Sequence, residues 1–469
     1  GDGRLDAEDY ILFYGEAPAR WEYTNRRESE RYQWRENRYT RDNVYWLAVE
    51  GERVGRRAVE RSGAVQSADP WRPVSYRERL HAEDERFIVL QLLKINSGYD
   101  WYWEDFRGNA RSYSTLIEDA IPGDPVNVRV CFYGWTDKNH SFEIKWNDQS
   151  LGLVAFTGTQ ANTFHLTASK GAREGLNQLG LFHRDSNLTR LDWYELEFSR
   201  GFIARGGELL FAWPVAVGED TAAKVAEFRL SGFEGDAKPR VFDVSTSAEL
   251  REIVDFDFDA AAGAVVFQDR FGIGQPPLYL VTSPTRFRRP AAISVEQAAG
   301  LRSPDNGAEY VIITHPDFAA AADRLAAWRA QDDRFGEALT TMVVDVEDIY
   351  AEFSGGMLDP MAIRSFVNYA VDNWNPAPFF VLLIGDGTYD YKNNSGSSHA
   401  NWMPAFQDGI STYDEWYVRI EGQDVFPDLA IGRLPVQSAQ QAEGLVDKLI
   451  DYDRQPEVGP WQTRVLLVS

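Results

Sequence analysis

The sequence predicts a multidomain chain in which antiparallel β-sandwich modules precede an α/β domain built on a doubly wound parallel sheet. Three observations carry this. A chain of 469 residues exceeds one hydrophobic core and suggests about three domains at ~150 residues each. Up to about Thr285, short alternating or apolar runs recur between Gly, Asn, Asp and Ser clusters, as in sandwiches. From Tyr310 onward, apolar strands instead alternate with amphipathic helical segments, which requires parallel strands with crossover helices.

In chain order, residues 1–84 are polar and aromatic and read as an irregular segment with a few strands packed on its neighbour. Residues 85–200 read as a β-sandwich, with runs such as VNVRVCFYGW, SFEIKWND and LDWYELEFS and a hairpin turning near Asn147-Asp148. Residues 201–290 read as a small immunoglobulin-like sandwich, and 291–308, rich in Pro, Ala and Arg, as a linker. Residues 309–469 read as the α/β unit. In it, YVIIT, LTTMVVDV, FFVLLI, a short Leu429–Ile431 stretch and TRVLLVS are strands. Helices are expected over Pro316–Ala330, after Asp359-Pro360 up to Asn375-Pro376, and after a Ser438 cap.

The balance of 48 basic against 72 acidic residues gives a net charge of -24, which opposes binding to nucleic-acid phosphates or anionic lipid. The Arg-dense stretch from Arg20 to Arg79 has acids interspersed and reads as a solvated ion-pair surface. No run reaches the roughly 18 apolar residues of a transmembrane helix. A single cysteine, Cys131, excludes an intrachain disulfide. It sits in an alternating strand, where a lone thiol is inert. His81, His140, His165, His183, His315 and His399 show no metal-ligand spacing, and His315 beside Asp317 fits a helix start. No P-loop, G-x-G-x-x-G, G-x-S-x-G or H-E-x-x-H motif is present.

The strongest candidate chemistry lies between Phe379 and Val436. The run Phe379–Ile384 stops at Gly385-Asp386-Gly387, which is how a buried parallel strand delivers a carboxylate to the open end of a sheet. Asp424, the carbonyl of Phe426 and Asp428 alternate along an extended segment and so share one side. Together with Asp386 they offer hard oxygen donors suited to calcium. A loop acid hydrogen-bonded to backbone explains Asp386 equally well, and Asp414 and Glu415 read as solvated.

The segments YVIITHPDF, DVEDIYAEFSGG, DPMAIRSFVNYAVDNW, FFVLLIGDGTYDY, DVFPDLAIGRLPV and KLIDYDR together resemble the gingipain-type cysteine peptidase family, which implies a caspase-like α/β fold with Glu309–Ser469 as its first subdomain. The upstream order is similar to the sortase-like members of the type IX secretion system. The resemblance implies a secreted or bacterial outer-membrane protein that cleaves protein or peptide substrates, with secretion-system components as partners. Its thiolate attacks the peptide carbonyl while an imidazole shuttles the proton. The family's His and Cys motifs match nothing here, so no catalytic residue is carried over, and the chain is expected to be an inactive fragment whose dyad lies downstream. The resemblance implies structural calcium at Asp386, Asp424, Phe426 and Asp428, pinning the long loop to the sheet, with a further ligand falling near Gly422, one position from Glu421. The competing expectation is a non-catalytic sandwich protein that docks a secretion partner or binds carbohydrate through Trp101, Trp103 and Trp135.

Overall fold

The computed structural model describes residues 10–24, 31–48, 57–88, 101–214, 224–235, 237–272, 274–333, 338–396, 400–408, 411–422 and 424–465. Sheets that are antiparallel but for one strand pair fill the amino-terminal part and a parallel sheet the carboxyl-terminal part, as the strand grammar predicts.

The larger sandwich packs a sheet ordered Gln149–Thr157, Asn139–Trp146, Gly175–His183, Ala110–Ile117 against one ordered Ala161–Ala168, Val126–Gly134, Thr189–Gly201, Ser75–Glu83. Alternate residues of each strand point inward, giving a core of Phe106, Val128, Phe132, Phe142, Ile144, Trp146 and Leu181. The hairpin turns at Asn147, whose positive φ of 51° is tolerated by Asn. The smaller sandwich faces a sheet of Glu208–Ala212, Leu278–Thr282, Arg240–Asp243, Arg251–Val254 and Val59–Ser62 with one of Lys224–Leu230, Ala264–Phe271 and Asp257–Asp259.

The expected boundary at residue 84 is corrected by strand pairing. Val59–Ser62 lies parallel to Arg251–Val254 in the smaller sandwich, and Ser75–Glu83 pairs along Trp193–Gly201 in the larger one. Residues 57–84 are thus shared between the two sandwiches, while Ala19–Tyr23 and Tyr32–Glu36 form a hairpin and Trp46 Nε1 donates to Gly355 O of the α/β domain. The expected linker is also shorter, because Leu301 and Ala308 are buried in the α/β core.

In the α/β domain four parallel strands run in the order Thr341–Asp345, Tyr310–Thr314, Phe380–Ile384, Ala430–Leu434. Helices α1 (Ala319–Arg329) and α4 (Ala439–Arg454) cover one face, burying Ala322, Leu325, Ala442 and Val446 on Ile312 and Leu382. Helices α2 (Val346–Phe353) and α3 (Pro360–Asn373) cover the other, burying Ile349, Ile363 and Phe366 on Val311, Ile313 and Leu383. The starts follow the sequence. Asp359 accepts from the Met361 N–H with Pro360 in the first turn, and Ser438 accepts from the Gln441 N–H. Pro316–Phe318 forms a 3-10 turn before α1, and α2 was not anticipated. Of the expected last strand, Thr463 ends a 3-10 turn, and residues 466–469 lie outside the described residues.

Candidate functional site

The carboxyl ends of the parallel strands gather His315, Asp345 and Asp386 at one edge of the sheet. Gly385 has φ +140°, and a Cβ there would come within 3.0 Å of the Met403 Cβ and 3.1 Å of the Trp402 Cβ, so only glycine lets the chain turn under that loop. Asp386 is anchored through its backbone, its N–H donating to Val436 O at 2.9 Å and its carbonyl accepting from the Met403 N–H at 3.0 Å. Its carboxylate accepts from the Gly387 N–H at 2.9 Å and from Gln437 Nε2 at 2.8 Å.

His315 Nδ1 accepts from the Asp317 N–H at 3.2 Å, which is the capping role its position predicts, and its ring meets Trp402 edge-on at 4.7 Å. Asp345 caps α2 through the Glu347 N–H at 2.8 Å. Burial, with repulsion from Glu296 added at each, holds Asp345, Glu347 and Asp348 above the usual carboxylate range. Among the described residues this edge carries carboxylates and an imidazole but no thiol. It can orient a substrate or a partner segment.

The expected calcium ligands divide between the two edges. In register, Phe380 faces Ala430 and Ile384 faces Leu434, so Asp386, bonded to Val436, lies beyond the strand's carboxyl end. Asp424, Phe426 and Asp428 precede its amino end. About 13 Å of strand separates the two ends at ~3.3 Å per residue. A single ion bound by all four donors does not fit, and that expectation is corrected: alternation specifies a side of a strand but not an end. Asp428 instead accepts from the Ile420 and Glu421 N–H groups at 2.8 and 2.9 Å, and Asp424 from the Phe426 N–H at 3.0 Å.

An ion pair ties the long loop to the sheet. Arg433, within the last strand, grips Asp414 with two bonds, Nε to Oδ2 at 2.8 Å and Nη2 to Oδ1 at 2.7 Å. Its remaining donors reach the carbonyls of Gly385, Met403 and Pro404 at 2.8, 2.8 and 3.1 Å. Sequence reasoning passed over this pair because Asp414 lies in a polar loop. The signal available was an arginine inside the apolar strand AIGRL, which needs an anionic partner.

Cys131 is 4% exposed, and burial pushes its thiol well above its ordinary value beside Asp192, so it is inert as expected. Within the larger sandwich, His140, His183 and Asp185 bring ligand atoms within 4.8 Å of one another, a constellation the spacing did not show. Their wiring opposes a metal. The Gly108 N–H donates to His183 Nδ1 at 2.8 Å, so Nε2 carries the ring proton and gives it to Asp185 Oδ1 at 3.0 Å. A metal on Nε2 would require an imidazolate, whereas a metal-bound histidine normally donates from its other nitrogen. Burial lowers the affinity of His183 for a second proton. Thr189 Oγ1 joins the network to His140 Nδ1 at 2.7 Å, completing a satisfied polar core. Trp101 is 5% exposed, Trp103 stacks on Tyr194 at 5.6 Å, and Trp135 lies under the Arg190 guanidinium at 4.8 Å. His399 lies outside the described residues.

Residues 303–469 match the model of peptidase family C25. The gingipain-type resemblance of the carboxyl-terminal part therefore stands, and the match coincides with the parallel-sheet domain. No curated protein matches the sequence. Among solved structures, dimeric latent PorU from Porphyromonas gingivalis is similar with a TM-score of 0.72 at 17% identity, over 97% of this chain and 44% of that one. That likeness shows the fold, and the chain spans less than half the length of that protein. The Arg-specific cysteine proteinase gingipain R matches at 22% identity over 31% of this chain and 28% of its own, with a TM-score of 0.23. A carbohydrate-binding module of family CBM36, in complex with calcium and xylotriose, matches at 17% identity over 25% of this chain and 98% of its own, with a TM-score of 0.18.

Proposed function

We propose that this chain forms the amino-terminal part of a secreted or cell-surface gingipain-like cysteine endopeptidase acting on protein substrates, with its Cys-His dyad supplied downstream of Ser469. The family C25 match over a domain that presents Asp386 and His315 at the carboxyl edge of a parallel sheet carries this reading. In this reading residues 1–469 hold no working nucleophile, since their single cysteine is sealed in a sandwich strand. No described helix is long and apolar enough to cross a membrane. The carbohydrate reading loses its expected platform, because Trp101 is core and Trp103 and Trp135 are engaged by neighbouring side chains.

The test is hydrolysis of a peptide library by residues 1–469 and by the protein extended along its reading frame. Thiol-reagent-sensitive cleavage by the extended protein alone is the expected result. Cleavage by residues 1–469, or none by the extended protein, would overturn the proposal. The calcium reading is retained in reduced form, with Asp424, the Phe426 carbonyl and Asp428 as donors on the amino-edge loop and Asp386 excluded. Calcium should then raise the thermal midpoint of the wild type and leave Asp424→Ala unmoved, and an unchanged wild-type midpoint would remove the site.

A further inference from the structure

The segment that leaves the amino-terminal hairpin lies along the α/β domain and touches it with one side chain after another. At the end of the hairpin the Glu36 carboxylate meets Lys392 at 2.5 Å, and the Lys392 side chain is only 4% exposed. Tyr39 meets Tyr391 edge-on at 4.8 Å, and Arg41 Nη2 donates to Asn394 Oδ1 at 2.7 Å. Arg38 lies within electrostatic reach of Asp359, the cap of α3. Further along, Trp46 Nε1 donates to Gly355 O at 2.9 Å. Val44 rests so closely on Gly356 that a Cβ there would stand 2.8 Å from Val44 Cγ1. Tyr45, between the two, meets Phe13 instead, at 5.3 Å, as alternation along an extended segment requires. The receiving surface is thus the end of α2, the start of α3 and the loop that follows Asp386.

Each of these contacts is made by a side chain of the segment. Its backbone turns on its own side chains: Asn37 Oδ1 accepts from the Tyr39 and Thr40 N–H groups at 2.8 and 3.1 Å, Thr40 Oγ1 from the Asp42 N–H at 3.0 Å, and Asn43 Oδ1 from the Val44 N–H at 2.9 Å. Residues 37–48 form no strand, so lifting them off breaks no sheet ladder. Val44 and Trp46, 40% and 54% exposed, already stand half in water. The loop has anchors of its own. Asp390 accepts from the Asn394 and Ser395 N–H groups at 2.7 and 2.8 Å, and Asn394 Nδ2 donates to Glu85 Oε2 at 2.6 Å. With the segment gone, those anchors remain, while Tyr391, Lys392 and the Asn394 carbonyl oxygen lose the partners named above.

We propose that Glu36–Trp46 is a strap with two states. Docked, it positions the loop after Asp386 through Tyr391, Lys392 and Asn394. Undocked, it loosens that loop and leaves on the α/β domain a groove for an extended peptide that offers, in order, an acid, an aromatic ring, an arginine and a tryptophan. In the docked state the ligand of the groove is the chain's own strap. Because the loop begins at Asp386, the strap carries the position of the β-rich part to the carboxyl edge of the sheet. This goes beyond the peptidase reading and does not depend on it.

Hydrogen exchange of the whole chain reads both states. In Tyr39→Ala with Trp46→Ala, the Asn394 and Ser395 amides should lose about tenfold in protection, the factor expected when roughly one net contact is removed from a local opening equilibrium. The amides of Phe380–Ile384 should keep theirs, which shows the domain folded. Arg41→Ala, which removes only an exposed contact and leaves the fold untouched, should cost the same two amides about threefold. A synthetic peptide of residues 36–47, added in excess, should restore protection in the double variant and leave the wild type unchanged, since the strap already fills the groove. Wild-type exchange of Asn394 and Ser395 in both variants, or a peptide that leaves the double variant unprotected, would refute the two-state strap.

Discussion

The two ends of the Ala430–Leu434 strand are built by different means. At its carboxyl end the G-D-G turn, the Trp402–Pro404 stretch and the crossing loop meet around Arg433, which makes two bonds to Asp414 and three to backbone carbonyls. At its amino end Asp424 and Asp428 cap their own short loop, and Val425 and Phe426 are exposed, Phe426 by 71%. A buried charge whose donors are all engaged fixes tertiary position, because removing a partner strands the other. Carboxylates that cap exposed loops fix only local shape. The difference teaches that the acids most conspicuous in the sequence are not those that hold the site together.

The contrast can be broken by substitution. Arg433→Met should cost most, about 3–5 kcal/mol, because it leaves Asp414 and three carbonyls without their donor, and denaturant unfolding followed in the α/β domain reads it. Gly385→Ala should cost about 1–3 kcal/mol, since its φ is unfavourable for an L side chain and Met403 and Trp402 bar the Cβ. Asp428→Ala should cost about 1 kcal/mol, as for the loss of a cap, in the same assay. A cost for Asp428→Ala equal to that for Arg433→Met would erase the distinction between the ends.

The α/β domain was legible because strand and helix periods alternate cleanly from Tyr310 and because Asp359-Pro360 and Ser438 mark helix starts chemically. Helix α2 was missed since VEDIYAEF follows its strand with no intervening turn, although Asp345 capping the Glu347 N–H is the expected start signal. The division of residues 1–84 was not legible. SYRERLHAE alternates Arg and Glu, which reads as surface, yet it is a sheet strand whose partner lies more than a hundred residues away. Local pattern cannot encode such a pairing. For the site, the sequence placed Asp386 correctly at a strand's carboxyl end and recognised Cys131 as inert. It joined Asp386 to Asp424 and Asp428 because nothing in a linear pattern says which end of a strand a loop has reached. It overlooked Asp414 because an acid in a polar loop looks solvated until its partner, 19 residues on, is seen in space.

Arg433 and Asp414 fix the long loop to the sheet. Thermal unfolding of Arg433→Met with calcium and with a chelator tests this most directly. The midpoint should fall by roughly 6–20 °C, at about 2–4 °C per kcal/mol for a domain of this size, and by the same amount in both conditions. Restoration of the wild-type midpoint by calcium would contradict the claim and return the loop to the ion.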